Sequence, residues 1–125
     1  MNTNKPSYRQ DRVAKVLSDA LAKVLDEHRG FMKLPLLTIS HIKMSPDLKI
    51  AKVYFSFYTL ADSPEEEVNY EEKIESTLNS HSKLLRREIS RKVSLRSIPE
   101  LRFHYDQLLR EADRLLNLID DVKNH

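Results

Sequence analysis

The 125-residue chain has no cysteine, so disulfide staples and thiolate chemistry are excluded. It has one glycine, Gly30, and so cannot build a Gly-rich loop around a phosphate. No apolar run approaches the roughly 18 residues that a membrane span needs. The opening Met-Asn-Thr-Asn-Lys-Pro-Ser also lacks the apolar core of a secretory signal. These absences set the expectation of a soluble, cytoplasmic protein with no membrane role. Strong net charge is missing as well. Lys and Arg number 21 against 19 Asp and Glu, or +2 with His neutral. That is too little to mark a nucleic-acid binder by itself.

The charge that is present is unevenly spread. Glu65, Glu66, Glu67, Glu71, Glu72 and Glu75 crowd one segment. Lys83, Arg86, Arg87, Arg91, Lys92, Arg96 and Arg102 crowd the next, opposed only by Glu88 and Glu100. The near-neutral total hides a dipolar chain. With 40% apolar and 32% charged residues, the composition suits one folded domain over residues 1–125.

Periodicity divides that domain into elements. Ser7 and Gln10 have capping-box spacing, and Val13, Val16, Leu17, Ala20, Leu21, Val24 and Leu25 follow the helical repeat. This predicts a helix over about 8–29, ended by Gly30 in a left-handed position with Phe31 folding back onto Leu25. Residues 36–44 favour a strand whose alternation slips, and either a bulge near Ser40-His41 or burial on both faces explains the slip. Ser45-Pro46-Asp47 is turn chemistry. Residues 50–58 then alternate, with Ala51, Val53, Phe55 and Phe57 inward, completing an antiparallel hairpin.

Ser63-Pro64-Glu65-Glu66 starts a second helix. Its apolar stripe falters at Asn79-Ser80-His81-Ser82, residues that compete for backbone hydrogen bonds. A kink there predicts two helices, with Ser80 or Ser82 capping the second and Pro99 stopping it. Leu101, Phe103 and Tyr105 mark a third strand. Leu108, Ala112, Leu115, Ile119 and Val122 mark a last helix, about 107–123, beyond a core of about 7–106. A long helical crossover between the second and third strands implies a parallel pair. The fold class is α+β: a three-stranded mixed sheet with helices on one face.

Catalysis finds no support in these residues. His28, His41, His81, His104 and His125 are scattered without metal-ligand spacing, and nothing resembles a nucleophile–base set. The chain reads as a non-enzyme without cofactor, metal or small-molecule substrate. The basic helix is the better lead. Lys83, Arg87 and Arg91 fall at i, i+4 and i+8 on one stripe, and like charges so placed cost roughly 0.2–0.5 kcal/mol per pair. A solvated helix face, or attraction to the helix C-terminal dipole, explains some of this run. Arg96 and Arg102 extend it beyond the helix, which favours an anionic partner. Arg9, Arg12 and Lys15 add positive charge near a helix N-terminus, where the dipole disfavours it. A second surface is the outward sheet face, where Lys52, Tyr54 and Tyr58 face the same way and Arg102 or His104 join them. Such interleaving can stack single-stranded bases, but edge-strand tyrosines and lysines are also common for purely structural reasons, which ranks this face below the helix patch.

The run from Leu95 to Asp106, Leu-Arg-Ser-Ile-Pro-Glu-Leu-Arg-Phe-His-Tyr-Asp, resembles the Leu-Arg-x-x-Pro-x-Leu-x-Phe-x-x-Asp signature of the ribosome-binding factor A family. Arg12-Val13, Ser45-x-Asp47-Leu48-x-x-Ala51-x-Val53-Tyr54 and Leu85-Arg86 extend the likeness over about 8–118. The resemblance implies a type II KH-like fold in which a kinked helix pair replaces the Gly-x-x-Gly loop. It also implies a monomeric bacterial assembly factor that binds free or immature 30S subunits and their 16S rRNA. Late 30S maturation, 16S rRNA 5′-end processing and a role in the cold belong to that implication. The helix patch would be the rRNA contact, with the kink at Ser80, His81, Ser82 and Lys83. The family's kink is an Ala-x-Gly or similar small-residue step, whereas His81-Ser82-Lys83 stands here. Either capping serines make a shallower bend or the helix runs on. The competing classes are a generic KH-like single-stranded RNA binder, which the missing Gly-x-x-Gly disfavours, and a protein-interaction module.

Overall fold

A computed structural model describes residues 7–58 and 63–108. Ser7 opens the first helix. Its hydroxyl accepts from the Gln10 amide at 3.2 Å, and the Gln10 side chain accepts from the Ser7 amide at 2.7 Å, the reciprocal box that the spacing predicts. The elements follow as α1 (Tyr8–Met32), β1 (Leu37–Met44), β2 (Ile50–Phe57), α2 (Pro64–Ser80), α3 (Ser82–Ser90) and β3 (Glu100–Tyr105).

The sheet order is β1-β2-β3, with β1 antiparallel to β2 and β3 parallel to it. Register between β1 and β2 slips between Ile39 and His41, the bulge that the broken alternation predicts. Ala51, Val53, Phe55, Leu101 and Phe103 are almost wholly buried on one sheet face. The partners that cover them are Leu17, Leu21 and Val24 of α1 and Ile74, Leu78, Leu85 and Ile89 of α2 and α3. Removing a side chain such as Phe55 from water contributes roughly 1.5–3 kcal/mol, so this single layer carries most of the fold's drive.

Four local expectations are corrected. α1 does not end at Gly30, which lies inside the helix, exposed, with nothing within 4 Å of where a Cβ would stand. The left-handed residue is Lys33, φ 55°, and Met32 and Leu34 turn inward instead. Phe31 does not fold onto Leu25; it stays 74% exposed, edge-on to His81 with ring centres 6.3 Å apart. α3 is also shorter than its charge pattern suggests. It stops at Ser90, whose hydroxyl donates to the Arg87 carbonyl at 2.6 Å, so Pro99 stops no helix. Pro99 is buried immediately before β3.

The fourth correction is the kink. The break is one residue, His81, at φ −101° and ψ 14°, a region open to ordinary L-residues. His81 takes no side-chain cap, and neither serine caps α3. Ser80 donates to the Thr77 carbonyl at 2.8 Å and Ser82 donates to the Leu101 carbonyl at 3.1 Å. Lys83 lies within α3, not at the bend, so the missing glycine causes no backbone strain.

Asp106 is buried, and its Oδ1 accepts from the Leu108 amide at 3.2 Å, starting a helical turn at residues 107–108. The remainder of the last predicted helix lies outside the described residues.

Candidate nucleic-acid interface

The even-numbered backbone groups of β3 face β2: the Glu100 amide donates to Lys49 O at 2.8 Å and the Asp106 amide to Phe55 O at 2.8 Å. The odd-numbered groups face the opposite edge, which no further strand covers among the described residues. Side chains from one stripe across α2 and α3 seal that edge. Glu75 accepts from the Tyr105 amide at 2.9 Å. Asn79 accepts from the Phe103 amide at 2.9 Å and donates to its carbonyl at 3.1 Å. Ser82 takes the Leu101 carbonyl, and Arg86 donates to the Ile98 carbonyl at 2.9 Å. An open edge invites pairing with another chain, and this ladder blocks it. Asn79 and Ser82 thus serve strand docking rather than helix capping, while Ser80 and His81 bond back to the Thr77 carbonyl of α2.

Between the ladder and the loop before β3 lies an open cleft of about 770 Å³ lined by Lys49, Asn79, Ser82, Lys83, Arg86 and Ser97. Arg86 is half-buried in it, and its Nε is buried without a hydrogen-bond partner among the described residues. Lys83 stands on the cleft wall, exposed. Three clustered cations with one acid, Glu100, make the cleft attractive to a phosphate.

The predicted cations divide by their surroundings. Lys83, Arg87 and Arg96 are exposed and form no ion pair among the described residues. Arg91, at the end of α3, lies 3.3 Å from Glu88 but remains 66% exposed. Lys92 is taken up by Glu27 of α1 at 2.7 Å. That bond, more than the charge itself, holds the Glu27 carboxyl below its ordinary range. Arg86 is a docking residue as much as a free cation.

Two groups do not join the patch. Arg102 alternates with buried Leu101 and Phe103, so it stands on the far face of the sheet, 3.4 Å from Glu100. Arg9 and Arg12 are exposed near the start of α1, where Gln10 donates to the Met44 carbonyl at 3.2 Å. From Arg12 to Phe31, which touches the kink residue His81, the helix runs about 28 Å. Phe31 and His81 are an aromatic pair that sequence reasoning misses, because a helix ending at Gly30 would turn Phe31 toward the core. The His81 ring is fixed by the Thr77 carbonyl, 2.8 Å from Nδ1.

A helix, a hairpin, a kinked helix pair and a parallel third strand define a small α+β domain of the KH-like class, with a basic cleft at the kink. The profile of the family described as ribosome-binding factor A matches residues 9–119, and the chain belongs to that family. A ribosome-binding factor A from Methylobacterium radiotolerans is 38% identical over 124 residues, covering 94% of this chain and 80% of that one. One from Rickettsia bellii is 33% identical over 127 residues, covering 98% and 96%. The crystal structure of ribosome-binding factor A from Thermus thermophilus superposes with a TM-score of 0.52 at 26% identity, over 78% of this chain and 97% of that one. The solution structure of a Thermotoga maritima protein gives a TM-score of 0.59 at 25% identity, over 81% and 90%.

Proposed function

We propose that the chain is a non-catalytic assembly factor that binds the small (30S) ribosomal subunit through its 16S rRNA. The relatives' shared name, ribosome-binding factor A, supports the choice of partner. The single observation that carries the site is the set of exposed cations without an ion pair among the described residues, Lys83 on the wall of the kink cleft, Arg87 one turn further along α3, and Arg96 in the loop before β3. Lys83, Arg87 and Arg91 form the primary rRNA contact, with Arg86, Lys92 and Arg96 at its margin. Backbone phosphates held this way give salt-dependent affinity without sequence reading. Arg9 and Arg12 form a separate contact at the other end of α1.

The proposed unit is the whole chain, residues 1–125, acting as a cytoplasmic monomer on free or immature subunits. Assistance to late 30S maturation, 16S rRNA 5′-end processing and growth in the cold complete the proposal. The generic KH-like RNA binder is disfavoured because Asn79 already occupies both backbone groups of Phe103 on the sheet edge. The experiment is sedimentation of a cell lysate on a sucrose gradient with detection of the protein. Co-migration with free 30S particles is the expected result; a peak confined to the top of the gradient overturns the reading.

A further inference from the structure

The sheet face that no described helix covers carries two transverse rows of side chains. Register pairs Lys43 with Lys52 and Lys52 with Arg102, giving one cation on each strand in line across the sheet. All three are exposed. The next row, one alternation along, is His41, Tyr54 and His104. The His41 and Tyr54 rings stack with centres 4.4 Å apart and planes 13° apart, and His104 lies 5.7 Å from Tyr54 at 33°. The rows are about 6.6 Å apart, two residues of strand rise. The basic row lines a depression of about 370 Å³ together with Met44, Ser45, Pro46 and Ile50.

Aromatic rings on one side and cations on the other match the two halves of an unpaired nucleotide: a π-face that stacks and a phosphate that pairs. The charge complementarity selects a polyanion. Among the described residues, two acids lie beside these rows, and each has a partner. Glu100 lies 3.4 Å from Arg102, and Asp106, itself buried, lies 4.0 Å from His41 Nδ1. His41 gives one ring face to Tyr54 and still leaves 54% of its side chain exposed. A protein strand is a poorer fit, since this is a sheet face and offers no backbone edge.

We infer that this face, built of Lys43, Lys52, Arg102, His41, Tyr54 and His104, is a second RNA site that holds a single-stranded segment. It lies on the side of the sheet away from the kink cleft. The inference rests on the ribosomal reading above: the cleft takes phosphates of one rRNA element while the sheet face takes an unpaired stretch. The factor then bridges two parts of its substrate.

The test uses the full chain, purified free 30S subunits and a fluorescent oligouridylate of about a dozen nucleotides, within the range of single-strand site sizes. The variants are Lys43→Gln/Lys52→Gln/Arg102→Gln and Tyr54→Leu, with Tyr54→Phe as the conservative partner; melting curves confirm that each is folded. The triple variant is expected to weaken oligouridylate binding about tenfold or more and to lower its salt slope by about 2, at roughly 0.7 for each phosphate no longer neutralised. Tyr54→Leu should weaken binding severalfold with the slope unchanged, and Tyr54→Phe should restore it. Both sheet variants should also weaken 30S binding. Unchanged oligouridylate binding by folded sheet variants overturns the inference even if 30S binding falls, because the face then contacts protein. Failure of the wild-type chain to bind 30S subunits instead overturns the ribosomal reading, whatever the oligonucleotide does.

Discussion

Asn79 holds both backbone groups of Phe103, accepting from its amide at 2.9 Å and donating to its carbonyl at 3.1 Å. A residue beside the helix break thereby fixes the strand that carries the family signature. Asn79→Ala leaves both groups on the edge unpaired, and each such loss costs about 1–3 kcal/mol where water cannot replace it. Because Asn79 is itself exposed, the lower end applies, and urea unfolding should report a loss of about 1–2 kcal/mol. Asn79→Asp, which keeps the acceptor and loses the donor, should lie between the two.

Phe103 and Arg102 are neighbours with opposite consequences. Phe103 is 0% exposed, and Phe103→Ala should cost about 3–5 kcal/mol through the cavity left behind. Arg102→Gln should change stability by less than about 0.5 kcal/mol, since its salt bridge is at the surface. Parallel denaturant melts of the two variants decide the point.

Gly30 sits in a helix with free space around its missing Cβ and no positive φ. Gly30→Ala should therefore stabilise the protein by roughly 0.4–1 kcal/mol, chiefly by restricting the unfolded chain. Lys33→Gly should also stabilise, because Lys33 adopts φ 55° at the helix end. Thermal melting of the two single variants and the double variant measures both effects.

In the hairpin turn, the Asp47 carboxylate accepts from the Ser45 hydroxyl at 2.6 Å and the Lys49 amide at 3.1 Å. The Ser45 bond, then the Lys49 amide, holds its pKa below the ordinary 3.8. A carboxyl depressed by folding contributes stability that is full above its unfolded value and lost as pH falls through its folded value. The turn should therefore weaken below about pH 3.8, and Asp47→Ala should flatten that part of the acid limb. Unfolding free energies of both proteins from about pH 2 to 6 give the comparison.

Much of the fold was legible in the chain. The capping box at Ser7 and Gln10, the bulge at Ser40-His41 and the parallel third strand all follow from spacing, because each is a local or topological rule. What failed was competition between near-equal local choices. Gly30 is the residue chemistry prefers for a helix end, yet burial of Met32 and Leu34 carries the helix past it. Asn79 and Ser82 have cap-forming side chains, but whether they bond their own backbone or a distant strand depends on tertiary placement that spacing does not encode. The candidate site divides in the same way. Lys83, Arg87 and Arg91 share a helix face by spacing alone, whereas Arg102 belongs to the other side of the sheet once alternation is respected. His41 and Lys43 face outward once the bulge is placed, but only the register lines them up with Tyr54 and Lys52.

The central claim is that Lys83, Arg87 and Arg91, along α3 and at its end, hold rRNA phosphates. The most direct measurement is equilibrium binding of wild-type and Lys83→Glu/Arg87→Glu/Arg91→Glu chains to purified 30S subunits between about 50 and 200 mM salt. With the variant's fold verified by melting, the account predicts weaker binding and a salt slope lower by about 2 to 3, one step for each phosphate no longer held. Equal affinity and an equal slope for the folded variant would contradict it and leave the patch a solvated helix face.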